Sequence, residues 1–110
     1  MDCLFCKIIR GEIPSTKVYE DDAVYAFRDI NPQTPVHVLI VPKKHMADAL
    51  ECDPETAGRV MEAAKKIVAQ EKVDQTGFRL LTNCGADAKQ SVRHLHFHLL
   101  GGAEMTEKMG

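Results

Sequence analysis

Apolar and polar positions follow different periods along the chain, and the changes of period mark out the elements. An amphipathic stretch from Leu4 to Arg10, closed by Gly11, predicts a short helix. Thr16 to Tyr19 and Ala23 to Arg28 read as two strands joined by a turn at Glu20-Asp21-Asp22. In the second, Val24, Ala26 and Arg28 alternate with Ala23, Tyr25 and Phe27, the two-residue period of a strand. Asn31-Pro32-Gln33-Thr34-Pro35 carries turn chemistry, and the β-branched, apolar run Val36 to Val41 predicts a buried strand ended by Pro42. Asp53 suits an N-cap and Pro54 the first helical position. Ala57, Val60, Met61, Ala64, Ile67 and Val68 then recur at helical spacing, with Gly77 punctuating the end region. Phe78 to Thr82 and Leu95 to Leu100 complete the set as two further strands. The order of helix, hairpin, strand, helix and two strands predicts an α+β domain. Its sheet is expected to be mostly antiparallel, with about five strands, one long helix and one short one.

Composition narrows the classes. The 110 residues are expected to form a single domain, residues 1–110, with 45% hydrophobic and 27% charged positions. Fourteen basic against sixteen acidic residues give a net charge of −2, which argues against a protein that coats nucleic-acid backbone. A small phosphorylated ligand held by a few aimed donors is compatible with that balance. A membrane span needs about 20 consecutive apolar residues. The longest such run here, Val36 to Val41, is short and interrupted by His37. The first residues lack the basic and apolar regions of an export signal, so a cytoplasmic protein is expected. In a reducing compartment the pair Cys3-Leu4-Phe5-Cys6 reads as metal-binding or redox rather than as half of a disulfide framework.

Three of the five histidines alternate with apolar residues in His94-Leu95-His96-Phe97-His98. On a strand this places the imidazoles on one face at intervals of roughly 6.5–7 Å, with Leu95, Phe97 and Leu99 turned into a core. Three uses fit such a row: a solvated strand face, a metal centre, or catalysis on a phosphate. In the last, neutral imidazole attacks phosphorus and imidazolium stabilises developing negative charge. The preceding segment Asn83-Cys84-Gly85-Ala86-Asp87-Ala88-Lys89-Gln90-Ser91 is small and polar. Its backbone N–H groups, an amide and a hydroxyl are suited to cradling anionic oxygens.

The segment His94-Leu95-His96-Phe97-His98-Leu99-Leu100 resembles the signature of the histidine-triad (HIT) superfamily, in which three histidines alternate with apolar residues. Five further blocks resemble its nucleotide-binding, HINT-type branch: Phe5-Cys6-Lys7-Ile8-Ile9, Glu12-Ile13-Pro14, Ala26 to Pro32, Val41-Pro42-Lys43-Lys44-His45 and Gln90-Ser91-Val92. The resemblance implies a HIT-like fold whose sheet continues across a homodimer. It also implies a hydrolase that binds purine nucleoside monophosphates and cleaves nucleoside 5′-phosphoramidates through a nucleotidyl-histidine intermediate. His96 would then be the nucleophile, its other ring nitrogen held protonated by a backbone carbonyl. His98 would bond the phosphate oxygens, with Ser91 beside the phosphate and the leaving-group nitrogen. Asn83 and the backbone of Lys89 and Gln90 would complete the cradle, and Asp29 would take the ribose hydroxyls with Ile30 beside it. Leu4, Phe5, Ile8 and Phe27 would line the base slot, and His37 would stand behind the triad. In a subset of the branch two cysteines and two histidines bind zinc, which here implies Cys3, Cys6, His45 and His94 around one structural ion per chain.

Two departures bear on substrate range. Lys89 stands where relatives often have Gly, and the tail Ala103 to Gly110 lacks a Trp that some relatives carry. A nucleotide-sensing or interaction module with incidental hydrolysis is the alternative function, and a catalytic metal centre on His94, His96 and His98 is a third.

Overall fold

A computed structural model describes residues 3–107. Helix α1 spans Leu4–Ile9. Strands β1 (Lys17–Glu20), β2 (Val24–Arg28) and β3 (Val36–Pro42) follow. A single 3-10 turn at Ala49–Glu51 precedes helix α2 (Pro54–Gln70), and β4 (Phe78–Leu81) and β5 (Phe97–Gly101) close the order. The five strands form one sheet in the order β1-β2-β3-β5-β4, with every neighbouring pair antiparallel. The α+β architecture expected from the patterning is therefore the one present.

Each face of the sheet is covered by one helix. Val24 and Ala26 of β2, Val38 and Ile40 of β3 and Leu99 of β5 point to one side. They pack there with Val60, Ala63, Ala64, Ile67 and Val68 of α2. The intervening Tyr25, Phe27, Leu39 and Val41 point to the other side and pack with Cys3, Phe5 and Ile8 of the α1 segment. This double cover explains why β3 is apolar at every position except His37: from His37 to Pro42 neither face meets water. His37 and His98 share the α1 face, since Leu39 pairs with His98 in the ladder and His37 lies two residues from Leu39.

The helix ends follow local chemistry. Asp53 accepts from the Thr56 N–H at 2.7 Å and Pro54 opens α2, as the sequence predicts. Gly11 takes φ +79° after α1, and the Glu12 N–H bonds back to the Lys7 carbonyl at 2.8 Å, closing the turn. At α2 the corresponding left-handed position belongs to Lys72, at φ 61°, and not to Gly77. The Val73 N–H reaches the Val68 carbonyl at 3.0 Å, and the Val73 side chain seals the cap against the core.

One boundary differs in a way that matters. The strand expected from Leu95 begins at Phe97, so His94 and His96 precede it and only His98 lies on β5. Met46 displaces the ladder there: its carbonyl takes the Leu95 N–H at 2.6 Å. Leu95 is nonetheless buried, and Leu99 and Phe97 pack in the α2-side core, so the row stays turned away from solvent without a regular strand. The interval of 6.5–7 Å does not: the His96 and His98 ring centroids are 5.2 Å apart.

Candidate functional site

The histidine row is buried rather than solvated, with His94 0% and His96 5% exposed. Phe5 of α1 lies edge-on to both, its centroid 6.0 Å from His94 and 5.0 Å from His96. The short helix thus closes over the triad. Thr82, just past β4, donates its hydroxyl to the His96 carbonyl at 2.7 Å and fixes the backbone from the other side.

Each imidazole has one nitrogen committed, and the commitments set the tautomers. His96 Nδ1 lies 2.8 Å from the His94 carbonyl oxygen. A carbonyl only accepts, so Nδ1 carries the proton and donates it, and Nε2 keeps its lone pair. His94 Nε2 lies 2.9 Å from the Pro42 carbonyl, so by the same argument its Nδ1 is bare. His37 Nδ1 accepts the Gln33 backbone N–H at 3.0 Å, which leaves Nε2 as its donor. That Nε2 lies 2.9 Å from His98 Nδ1 and 3.4 Å from an Asp29 carboxylate oxygen. With His98 Nδ1 accepting, His98 presents Nε2–H. Neighbouring histidines are therefore set in opposite senses: His96 offers an electron pair at Nε2 and His98 a donor.

Burial holds the inner imidazoles neutral. His37 is pushed below its ordinary value by burial, against the pull of Asp29. His98 is lowered to about 4, first by burial and then by its proximity to His96 and His37, with Asp29 opposing.

Around this row the expected ligand contacts are distributed unevenly. Asp29, Asn83, Ser91 and Ile30 are open to a ligand to differing degrees, and Ile30 is 92% exposed. Among the described residues the side chains of Asn83 and Ser91 have no hydrogen-bond partner. Phe5, Ile8 and Phe27 are buried in one cluster, while Leu4 and Ile30 are exposed.

The backbone of Lys89 and Gln90 does not offer the donors expected of it. The Lys89 N–H bonds the Ala86 carbonyl at 3.0 Å and the Gln90 N–H bonds the Gly85 carbonyl at 3.1 Å. The loop is a closed turn with Lys89 in the left-handed region at φ 63°, which is the physical reason a Gly suits that position. The Gln90 amide is also spent, on the carbonyls of Ala47 and Val92 and the N–H of Gly85. The N–H groups of Ser91 and Val92, next along the chain, donate to nothing among the described residues.

A second cluster adjoins the triad. Cys3 is the N-cap of α1 and Cys6 stands one turn further on, so both sulfurs lie on one face. His45, after β3, and His94 converge on them. Cys3 Sγ lies 3.2 Å from His94 Nδ1, and Cys6 Sγ lies 3.4 Å from His45 Nδ1 and 3.5 Å from His94 Nδ1. The two Nδ1 atoms are 3.1 Å apart. A tetrahedral zinc ion with bonds of about 2.1–2.3 Å needs donor separations of about 3.4–3.8 Å. Four donors of the right softness, with no carboxylate among them and the lone pair of His94 already directed inward, fit that ion closely.

Sequence reasoning passed over Pro42, Met46, Gln33 and Thr82. Pro42, Gln33 and Thr82 hold histidines through main-chain atoms or one hydroxyl, and Met46 holds Leu95 between two of them. No residue-type signal marks a carbonyl that the fold will use.

The chain matches the HIT domain family over residues 10–105. A protein from Brassica juncea described as a 14 kDa zinc-binding protein is 49% identical over 109 residues, covering 94% of this chain and 96% of that one. The adenylylsulfatase HINT1 of Arabidopsis thaliana is 47% identical over 107 residues, covering 93% of this chain and 72% of the relative. Among solved structures, a HIT family hydrolase from Clostridium thermocellum superposes with a TM-score of 0.94 at 48% identity. It covers 98% of this chain and 96% of its own.

Proposed function

The chain belongs to the HIT domain family, and on that footing we propose that it is a purine-nucleotide-binding hydrolase acting on nucleoside 5′-phosphoramidates. The observation that carries the reading is the hydrogen bond from His96 Nδ1 to the His94 carbonyl, which leaves the Nε2 lone pair free in a buried site. His96 Nε2 attacks the α-phosphorus. The P–N bond to the leaving group breaks, its electron pair stays on nitrogen, and the amine departs with a proton taken from solvent beside the Ser91 hydroxyl, a proton that the later attack of water returns. Water then breaks the new bond between phosphorus and His96, releasing the nucleoside monophosphate and restoring the neutral imidazole. His98 Nε2–H bonds the phosphate oxygens, His37 fixes that tautomer, and Asn83 and the N–H groups of Ser91 and Val92 complete the cradle. Asp29 takes the ribose hydroxyls. The base packs on Leu4 and Ile30 over the apolar cluster of Phe5, Ile8 and Phe27.

Cys3, Cys6, His45 and His94 hold one structural zinc ion per chain in this reading. The four-donor set has no open position, so the ion ties α1 to the triad and takes no part in the chemistry. The zinc-binding description of the Brassica relative supports it. The chain works as a single domain and as a homodimer with the sheet continued between copies, in the cytoplasm, where its four free cysteines stay reduced. Among the described residues no helix is long and apolar enough to cross a membrane.

The test is a panel of nucleoside phosphoramidates with different bases and amines, followed by release of the nucleoside monophosphate. Turnover is expected for adenosine 5′-phosphoramidate. AMP binding with no turnover of any member would replace the hydrolase with a nucleotide-sensing module.

A further inference from the structure

The spacing Cys3-Leu4-Phe5-Cys6 suits either metal binding or redox chemistry, and the geometry that gathers a metal set also brings two sulfurs together. Cys3 is the N-cap of α1, in an extended conformation, and Cys6 lies in the first turn. The Cys6 N–H donates to Cys3 Sγ at 3.4 Å, so the first sulfur folds back over the helix start toward the second. Both sulfurs face one nitrogen, His94 Nδ1, at 3.2 and 3.5 Å, and the two Sγ atoms lie within 4.8 Å of each other. Both thiols are free. A disulfide needs an S–S distance of about 2.05 Å, a closure that rotation about the two Cα–Cβ bonds can supply.

The two sulfurs differ in access. Cys3 is 8% exposed and belongs to the buried cluster that holds Phe5 and Ile8. Cys6 is only half-buried and packs at the rim of that cluster. A small oxidant arriving from solvent therefore meets Cys6 first, with Cys3 standing behind it. An accessible thiol with a second one poised to resolve it is the arrangement that stops oxidation at the reversible disulfide.

We propose that Cys3 and Cys6 form a peroxide-sensitive thiol–disulfide couple whose oxidation dismantles the Cys–His cluster. The Cys6 thiolate attacks one oxygen of a hydroperoxide and becomes a sulfenic acid. The O–O bond breaks, and the departing oxygen takes a proton from solvent. The Cys3 thiolate then attacks the Cys6 sulfur, the S–O bond breaks, and hydroxide takes a second proton and leaves as water. The two sulfurs together lose two electrons and the peroxide gains them. His45 and His94 then face an uncharged disulfide, and two imidazoles alone do not make a structural zinc set. The couple stands on the placement of the sulfurs, whereas the release of metal rests on the reading of the cluster as a zinc site.

The unaltered protein as isolated is titrated with hydrogen peroxide, and its mass is read before and after dithiothreitol. Each chain should lose the mass of two hydrogens, mapped as an internal cross-link to the tryptic fragment Met1–Lys7 and reversed by the reductant. A chromogenic chelator should read one zinc released for each disulfide formed. In Cys3→Ser, dimedone should instead trap Cys6 as a sulfenic acid. In Cys6→Ser, trapping on Cys3 should be at least tenfold slower. Oxidation of Cys52 or Cys84 ahead of the pair, or an irreversible sulfinic acid on Cys6 of the unaltered protein, would overturn the couple. Equal trapping in the two variants would overturn the order of attack. A disulfide formed with zinc still bound overturns the dismantling. Protein isolated without zinc that still forms the disulfide overturns the zinc reading and leaves the couple standing.

Discussion

His94 and His96 are joined by a 2.8 Å hydrogen bond in which the backbone of the first fixes the ring of the second. The same His94 presents its side chain to Cys3, Cys6 and His45. One residue therefore belongs to two sites: its carbonyl sets the tautomer of His96 and its imidazole anchors the cysteine cluster. The two sites are coupled through a single backbone unit.

Replacing His96 by Ala should abolish phosphoramidate turnover, by several orders of magnitude, while AMP binding persists. A covalent nucleophile has no substitute in the cluster, because His98 is committed as a donor and His37 lies behind it. Binding rests on Asp29, Asn83 and the apolar surface instead. Single-turnover kinetics with calorimetry of AMP binding separates the two quantities, and near-normal turnover would exclude His96 as nucleophile.

Much of the fold was legible because local and global signals agree. Asp53-Pro54, Gly11 and the β3 run each state their own conformation, and each is found where the patterning places it. The start of β5 was not legible. The alternation in His94 to His98 has the period of a strand, but the Met46 carbonyl captures the Leu95 N–H and delays the ladder until Phe97. The cap at Lys72 was hidden for a similar reason. A left-handed residue is readable when it is Gly, and here the Val73 side chain enforces the turn on a Lys. In the site, residue types pointed to the histidines and cysteines. Only the structure shows that Lys89 and Gln90 have already spent their N–H groups.

Lys72 is consequently a place where stability can be gained. A Lys at φ 61° bears a steric cost that Gly avoids. After the greater chain entropy of Gly is deducted, Lys72→Gly should raise stability by about 0.5–1 kcal/mol, and Lys72→Ala should not. Urea midpoints of the three proteins measure the difference.

The sheet ends in β1 on one side and β4 on the other. β1 carries charged Lys17 and Glu20 at its ends, which blunts an edge. β4 exposes Phe78, 41% open to solvent, beside an unpaired edge. Pairing of two β4 edges would cover both and continue the sheet between copies. Light scattering should report a dimer at micromolar concentration, shifted toward monomer by Phe78→Glu. A wild-type monomer under those conditions would contradict the assembly.

Acid stability should depend on Asp21. Burial works to raise its pKa, but the N–H groups of Ala23 and Val24, the Tyr19 hydroxyl and the Arg59 guanidinium outweigh it and bring it below the ordinary carboxylate value. A group whose folded pKa is depressed stabilises the fold above its unfolded value and loses that contribution as pH falls through the folded one. Urea midpoints should therefore fall below pH ~4. Asp21→Asn should flatten that limb and cost about 1–2 kcal/mol at neutral pH, because two backbone donors lose a charged acceptor.

Disrupting the cluster of Cys3, Cys6, His45 and His94 should act on the triad from a distance. Helix α1 is only six residues long, too short to persist on its own propensity. Phe5 must nevertheless stay edge-on to His96 for the aromatic cluster to exist. Cys3 and Cys6 hold that helix, and they reach the body of the protein through His45 and His94. Cys3→Ser, or treatment with a strong chelator, should therefore lower the melting temperature and weaken AMP binding. The chemistry on His96 should fall less than binding does, since the His94 carbonyl stays in place while its side chain is freed. Metal analysis should find one zinc in the unaltered protein as isolated and less than one in the variant. An isolated protein that contains no zinc and melts at the same temperature as Cys3→Ser would remove the metal from the account, leaving the helix to be held by Phe5 and Ile8 alone.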